Sequence, residues 1–339
     1  MLSGPVVFTS AGFGATMRAA TDSRHRMTQP SAFQHWSDYW ATGALTSLPQ
    51  DFAFNYDGEV AAFWSDVFSS LPNPCCVLDV CTGNGPIALM ASEWAEREDR
   101  DCRILAVDAA EPNPGLIIQR QPALADLIER IEFHPATPVE SLPFEADSVD
   151  LVTSQYGLEY CELESAGQSL ARVLKPDGRL VMVCHGADSD MLATMQAEHA
   201  DYALLEEARV FSVLRSWERG QLDELSFRQR IERIGRKLAA DRKRAQAPLL
   251  AEVLNSLAEL LRLPNDRLRQ QRGAVTVFRS QLEAGQGRLA DMLRVNRMIV
   301  DDPHWYQPLE VAGLVLERSE ALRYRGEHQM GQAYHWRKV

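Results

Sequence analysis

The chain has 339 residues, 45% of them hydrophobic, and a formal net charge of −12. That length suits one large domain, or one domain carrying an insertion, and the acidic total argues against a free-standing nucleic-acid binder while leaving room for a local basic face. No apolar run approaches the roughly 18 residues of a membrane span, and the six cysteines contain no C-x-x-C pair, so zinc-knuckle spacing is absent and no metal is expected.

Residues 1–27 are rich in Gly, Ala, Ser, Thr and Arg, with Asp22 their only acid. Such a composition cannot build a core and reads as a disordered leader, or as sequence ahead of a start at Met27; a transit peptide is the alternative. Residues 28–74 read as a helical cap rich in aromatics: Trp36, Tyr39, Trp40, Phe52, Phe54, Tyr56, Phe63 and Trp64. The pattern then changes. Strand-like runs at Cys76–Val80, Arg103–Val107, Ile131–His134, Val149–Thr153 and Leu180–Cys184 alternate with helical stretches at Ile87–Glu98, Leu116–Glu129 and Ala166–Leu174. Alternation of this kind predicts right-handed crossovers and a mainly parallel sheet, covered on both faces because its strands are nearly continuous apolar runs. Cys75, Cys76, Cys81, Cys102, Cys161 and Cys184 fall in these stretches and are expected to be reduced packing residues of a cytoplasmic protein. From Asp190 to about Val300 the chain is helix-compatible, broken at Pro248 and Pro264, and strand character returns at Leu314–Tyr324 and Ala333–Arg337.

The run Val77-Leu78-Asp79-Val80-Cys81-Thr82-Gly83-Asn84-Gly85-Pro86 leads from a strand into a helix. Its glycines allow a sharp turn and close approach of a ligand to backbone, and the helix behind offers free N–H groups. Gly83–Ala88 also fits G-x-G-x-x-A, a permitted dinucleotide fingerprint. Asp79 weighs against a pyrophosphate there and suits a ligand with an ammonium group. Asp108, closing the next strand about 20 residues on, can accept both ribose hydroxyls in either case.

The stretch 75–184 resembles the class I S-adenosylmethionine-dependent methyltransferases. Val77–Gly85 is similar to their first motif and Ile104–Asp108 to their second. Leu142–Val152 resembles the entry to their fourth strand, Arg172–Leu180 the turn before their fifth, and Gly326–Trp336 their last antiparallel strand. The resemblance implies an α/β fold: a seven-stranded, mostly parallel Rossmann-like methyltransferase sheet with an antiparallel last strand and a large helical insertion after the fifth strand. The core would span 75–188, the insertion 189–290, and the final helix and strands 291–339. It further implies S-adenosyl-L-methionine as cofactor, leaving S-adenosyl-L-homocysteine, held by Asp79, Thr82, Gly83, Asn84, Gly85, Asp108, Ala109, Val139, Glu140 and Gln155. Two departures stand out: Pro138 replaces an acid that many relatives carry, and Pro112 and Pro114 fall where relatives begin a helix.

Substrate should lie beyond the carboxyl ends of the strands, where Gln155–Tyr160, His185–Asp188 and the aromatic cap converge. His185, Tyr156, Tyr160 and Glu159 are the candidate catalytic residues, His185 as a base active near neutral pH, although Glu159 can equally brace the next helix. Ser154-Gln155-Tyr156-Gly157 stands where amine-methylating relatives carry D/N-P-P-Y/F, which disfavours adenine-N6 or glutamine-amide acceptors. Residues 209–244 hold 11 Arg or Lys against 5 Asp or Glu. This basic stretch can be a lid attracting an anionic substrate, or a solvated face with pairs such as Glu232–Arg236. The apolar stripe from Leu249 to Leu261 can pack the insertion or join two subunits as a homodimer. Three functions follow: methyl transfer to a small or carrier-bound metabolite; an RNA or protein methyltransferase docking on the basic insertion; and a protein that binds the cofactor without methylating. No membrane partner is expected.

Overall fold

The computed structural model describes residues 33–47, 52, 54–186, 190–241, 243–326 and 328–339; the expected leader 1–27 lies outside them, as do residues 187–188 of the expected core. The chain divides into two compact units, one comprising Ala32–Ser189 with Arg294–Val339, the other including Asp190–Leu293.

In the first unit, α1 (Gln34–Trp40) and α2 (Gly58–Ser69) precede β1 (Cys75–Val80), α3 (Pro86–Arg97), β2 (Cys102–Val107), α4 (Pro114–Arg120), α5 (Ala125–Glu129), β3 (Ile131–His134), β4 (Val149–Gln155), α6 (Leu163–Val173) and β5 (Leu174–Cys184). The helices α7 (Asp190–Glu207), α8 (Val210–Glu218), α9 (Glu224–Leu238), α10 (Pro248–Arg262), α11 (Asn265–Gln270) and α12 (Arg272–Asp301) follow. The chain closes with α13 (Gln307–Val311), β6 (Leu314–Tyr324) and β7 (His328–Lys338).

The seven strands form one sheet in the order β3-β2-β1-β4-β5-β7-β6, with β7 antiparallel to both neighbours. This is the expected Rossmann-like arrangement. Val77, Leu78 and Val80 on β1, Leu151 and Val152 on β4, and Leu180–Cys184 on β5 are all buried, as consecutive apolar residues must be when helices cover both faces. The strand order reverses between β1 and β4, which opens a crevice at their carboxyl ends.

Local chemistry adjusts the predicted elements. The stretch expected as one helix over Leu116–Glu129 is three pieces, because Pro122 opens a 3₁₀ turn between α4 and α5. The Pro112–Pro114 turn is rebuilt as a capped start: Pro114 takes the first helical position and the Asn113 side chain accepts from the Leu116 N–H. In the helical unit Trp217 stacks on Phe227 at 4.5 Å, with the Arg272 guanidinium over its ring. Leu249, Leu250, Val253, Leu257 and Leu260 are buried, so the apolar stripe of α10 packs inside this unit.

Candidate functional site

Two clusters of side chains meet at the switch point. The first surrounds the turn after β1. Asp79 is 1% exposed. It lies in register with Thr153 of β4, whose hydroxyl donates to Asp79 Oδ1 at 2.8 Å. The Thr82 hydroxyl donates to Oδ2 at 2.5 Å. Burial, with a smaller push from Asp108, raises the Asp79 carboxyl to about 7 against the pull of both hydroxyls. Asp108 closes β2; its Oδ2 accepts from the Gly83 N–H at 2.7 Å and its Oδ1 from the Ala110 N–H at 2.8 Å. Burial raises this carboxyl too. Ala109 sits half-buried inside that clasp.

Gly83 and Gly85 take left-handed backbones, φ 55° and 85°. A Cβ on Gly83 would stand 2.4 Å from the Trp40 ring, so the cap aromatic lies directly on the loop. Asn84 fastens it there. Its Nδ2 donates to the Trp40 and Ala44 carbonyls at 3.0 and 2.7 Å, and its Oδ1 accepts from the Asn113 N–H at 2.7 Å. Asn84→Ala would strip all three partners at once and should destabilise the chain by about 2 kcal/mol; a lower midpoint in urea denaturation, with unchanged slope, is the expected measurement.

The second cluster follows β4 and β5. Glu159 is 1% exposed and His185 5%. Glu159 Oε1 lies 2.8 Å from His185 Nδ1 and also accepts the His185 backbone N–H at 3.1 Å. The Tyr156 and Tyr160 rings flank the imidazole, with centroids at 5.1 and 5.8 Å. The Tyr156 hydroxyl donates to the Met330 carbonyl at 2.6 Å. No hydrogen bond to His185 Nε2 occurs among the described residues, and that atom is not among the sealed, unpartnered ones. With the proton on Nδ1, donated to Glu159, Nε2 would carry the lone pair, the arrangement of an oriented base. Trp36 joins the clusters: it stacks on Trp40 and meets Tyr160 edge-on at 5.8 Å.

The remaining expected residues are placed differently. Gln155 Oε1 accepts from the Trp64 indole of α2 at 2.6 Å, which ties the cap to the end of β4. Val139 is buried in the sheet core. Glu140 Oε1 accepts the Glu162 N–H at 2.9 Å, so in this structure it braces the start of α6. Thr153 and Asn113 were not among the expected site residues. Thr153 was legible as a polar residue in a buried strand; Asn113 had only its place between two prolines. Among the described residues no helix is long and apolar enough to cross a membrane, and no group of three or more His, Cys, Asp and Glu could hold a metal.

Residues 77–178 match a family described as "Methyltransferase domain". The chain is similar to the uncharacterized methyltransferase YcgJ of Bacillus subtilis strain 168, 34% identical over 115 residues, covering 34% of this chain and 42% of that protein. It is similar to the ubiquinone/menaquinone biosynthesis C-methyltransferase UbiE of Geotalea daltonii, 35% identical over 108 residues, covering 32% and 44%. A malonyl-[acyl-carrier protein] O-methyltransferase of Methylococcus capsulatus is 32% identical over 144 residues, covering 40% and 48%. The chain thus spans less than half the length of each of these relatives. Residues 77–178 therefore carry a methyltransferase domain, on a seven-stranded sheet of the Rossmann-like methyltransferase order.

Proposed function

We propose that this protein transfers a methyl group from S-adenosylmethionine to a proton-bearing atom of a small or carrier-bound metabolite. The observation that carries this reading is the buried Glu159–His185 pair with Nε2 left over. The cofactor supplies, when bound, an electrophilic methyl group on a sulfonium. The residues present fit it. Asp108 has spent one lone pair of each oxygen on backbone N–H groups and keeps acceptor capacity for two ribose hydroxyls. Gly83 and Gly85 supply the left-handed turn on which the Trp40 and Phe133 rings pack, and Asp79 places a carboxyl beside the ammonium end. Trp36, Trp40 and Tyr160 exclude water, and His185 Nε2 takes the acceptor's proton while Glu159 steadies the ring.

Carrier-bound or otherwise anionic substrates are supported by α9. Arg230, Arg233 and Arg236 are exposed and form no ion pair among the described residues; Glu232 is not within pairing distance of Arg236. The malonyl-[acyl-carrier protein] methyltransferases among the relatives point the same way.

S-adenosylhomocysteine at 100 times its dissociation constant should stabilise the protein by about 2.7 kcal/mol, read as a thermal shift. Methyl-labelled cofactor should then mark small metabolites or a substrate-loaded acyl carrier protein in a mass spectrum. Label appearing only on RNA or on unrelated proteins, or no label anywhere, would reject the proposal.

A further inference from the structure

Two thiols meet where the two clusters join. Cys81 is the first residue beyond β1, Cys161 follows the Leu158–Tyr160 turn, and their sulfurs stand 3.5 Å apart although 80 positions separate them. The backbone gives ground to bring them together. Cys81 holds a left-handed conformation, φ 54°, which costs an L-residue roughly 1 kcal/mol and glycine almost nothing. Gly157 leaves the room this requires, since a Cβ there would stand 2.3 Å from Cys81 Cβ and 3.3 Å from Cys81 Sγ. Both cysteines are free and only half-buried.

We propose that Cys81 and Cys161 form a thiol–disulfide site. It takes a small disulfide of the glutathione type and closes to an internal disulfide that disables the cofactor loop. Cys161, as thiolate, attacks one sulfur of the small disulfide, forms a mixed disulfide and releases the first small thiolate. Cys81 then gives its proton to solvent and attacks Cys161 Sγ; the Cys161–glutathione S–S bond breaks and the second small thiolate leaves. Two protein thiols lose two electrons, and one small disulfide is reduced to two thiols. The order follows from the surroundings. The hydrogen bond shared with Cys161, burial, and the charges of Asp108 and Glu159 hold Cys81 well above the usual thiol range, so it keeps its proton and attacks second.

Closing the gap to a bond of about 2.0 Å draws the sulfurs together by about 1.5 Å. Cys81 stands one residue from Thr82 and two from Gly83, and Cys161 stands two residues from Glu159. The bond therefore pulls the cofactor turn and the turn carrying the Glu159–His185 pair toward each other. Displacements of about 1 Å are enough to spoil a reacting geometry. The other juxtaposed pair, Cys75 and Cys102, are register partners at the opposite ends of β1 and β2; a bond there would leave the site alone.

The test uses the full chain, treated with oxidised glutathione at about pH 8, freed of reagent and mapped as unreduced peptides. The expected result is a Cys81–Cys161 linked peptide and a fall of about tenfold or more in affinity for S-adenosylhomocysteine. Dithiothreitol should reverse the fall, and Cys161→Ser, compared with its own reduced state, should not show it; Cys161→Ala serves if serine disturbs folding. A missing linkage overturns the proposal, as does a linkage that changes affinity by less than about twofold, or a loss that persists in the Cys161 variants. The effect on affinity rests on the cofactor assignment above, but the linkage map does not, so reduced protein that ignores S-adenosylhomocysteine while still forming the bond would refute that assignment and leave the thiol pair standing.

Discussion

Asp79→Asn should yield a protein that melts at higher temperature and has lost about tenfold or more in affinity for S-adenosylhomocysteine. Asp79 is buried, and its carboxyl is pushed up to about 7 from an ordinary 3.8, chiefly by loss of water. A carboxyl raised in the folded state helps folding only while it is protonated there. Its contribution is fullest below about pH 4, declines as pH rises toward 7, and above 7 becomes the full cost of an ionised group in a dry place. A gap of about 3 units corresponds to about 4 kcal/mol. Asparagine removes that cost while keeping partners, since its oxygen can accept from one of the Thr82 and Thr153 hydroxyls and its N–H can donate to the other. A gain of about 1–2 kcal/mol at pH 8 is the expected net result. The ligand's ammonium group, by contrast, loses its counter-charge. Wild-type affinity should therefore climb between about pH 6 and 8 as Asp79 ionises, whereas the Asp79→Asn variant should show no such rise. Calorimetric melting and titration at both pH values check both halves; a lower melting temperature with unchanged affinity would show that Asp79 serves only to pin the loop.

That division of labour explains what the sequence could and could not disclose. The strands β1, β2 and β4 and the Leu180–Cys184 half of β5 were legible because each holds a short, nearly continuous apolar run, whereas Lys175–Arg179 gave no sign that β5 begins at Leu174; the turn after β1 was legible because two glycines and an acid have few reasons to stand together. The clasp of Asp79 by Thr153 was not legible. It depends on β4 lying next to β1 in a particular register, which no local pattern contains. Asn84 was expected to face ligand from its place between Gly83 and Gly85. Instead its amide is used by Trp40 and Ala44, some forty residues upstream, and by Asn113 downstream. Glu140 likewise spends one oxygen on the α6 start. Polar residues beside a binding loop look alike in sequence whether they touch the ligand or fasten the wall around it. Only the partners separate the two roles. Glu159 and His185 show the converse: 26 positions apart, each was a candidate by residue type, and their pairing came from β5 running beside β4.

His185→Gln should lower kcat by about 10²- to 10⁴-fold, the range for removal of a positioned base, while affinity for S-adenosylhomocysteine stays near that of the wild type, because no cofactor-loop residue depends on the imidazole. Glu159→Gln tests orientation apart from proton transfer. Glu159 Oε1 now takes both the imidazole Nδ1 proton and the His185 backbone N–H. A glutamine can hold its oxygen at that same point, but its N–H₂ group, if turned to the ring in place of the oxygen, would drive the proton onto Nε2 and stand donor against donor with the His185 backbone N–H. The base would then point its hydrogen at the acceptor's hydrogen. The loss in kcat should approach that of His185→Gln even though the histidine is still present. The two substitutions together should cost little more than either alone, since they disable one device. An additive double variant would mean that Glu159 acts on catalysis independently of the ring. An undiminished rate in His185→Gln, with an acceptor that turns over, would mean that the proton leaves by another route.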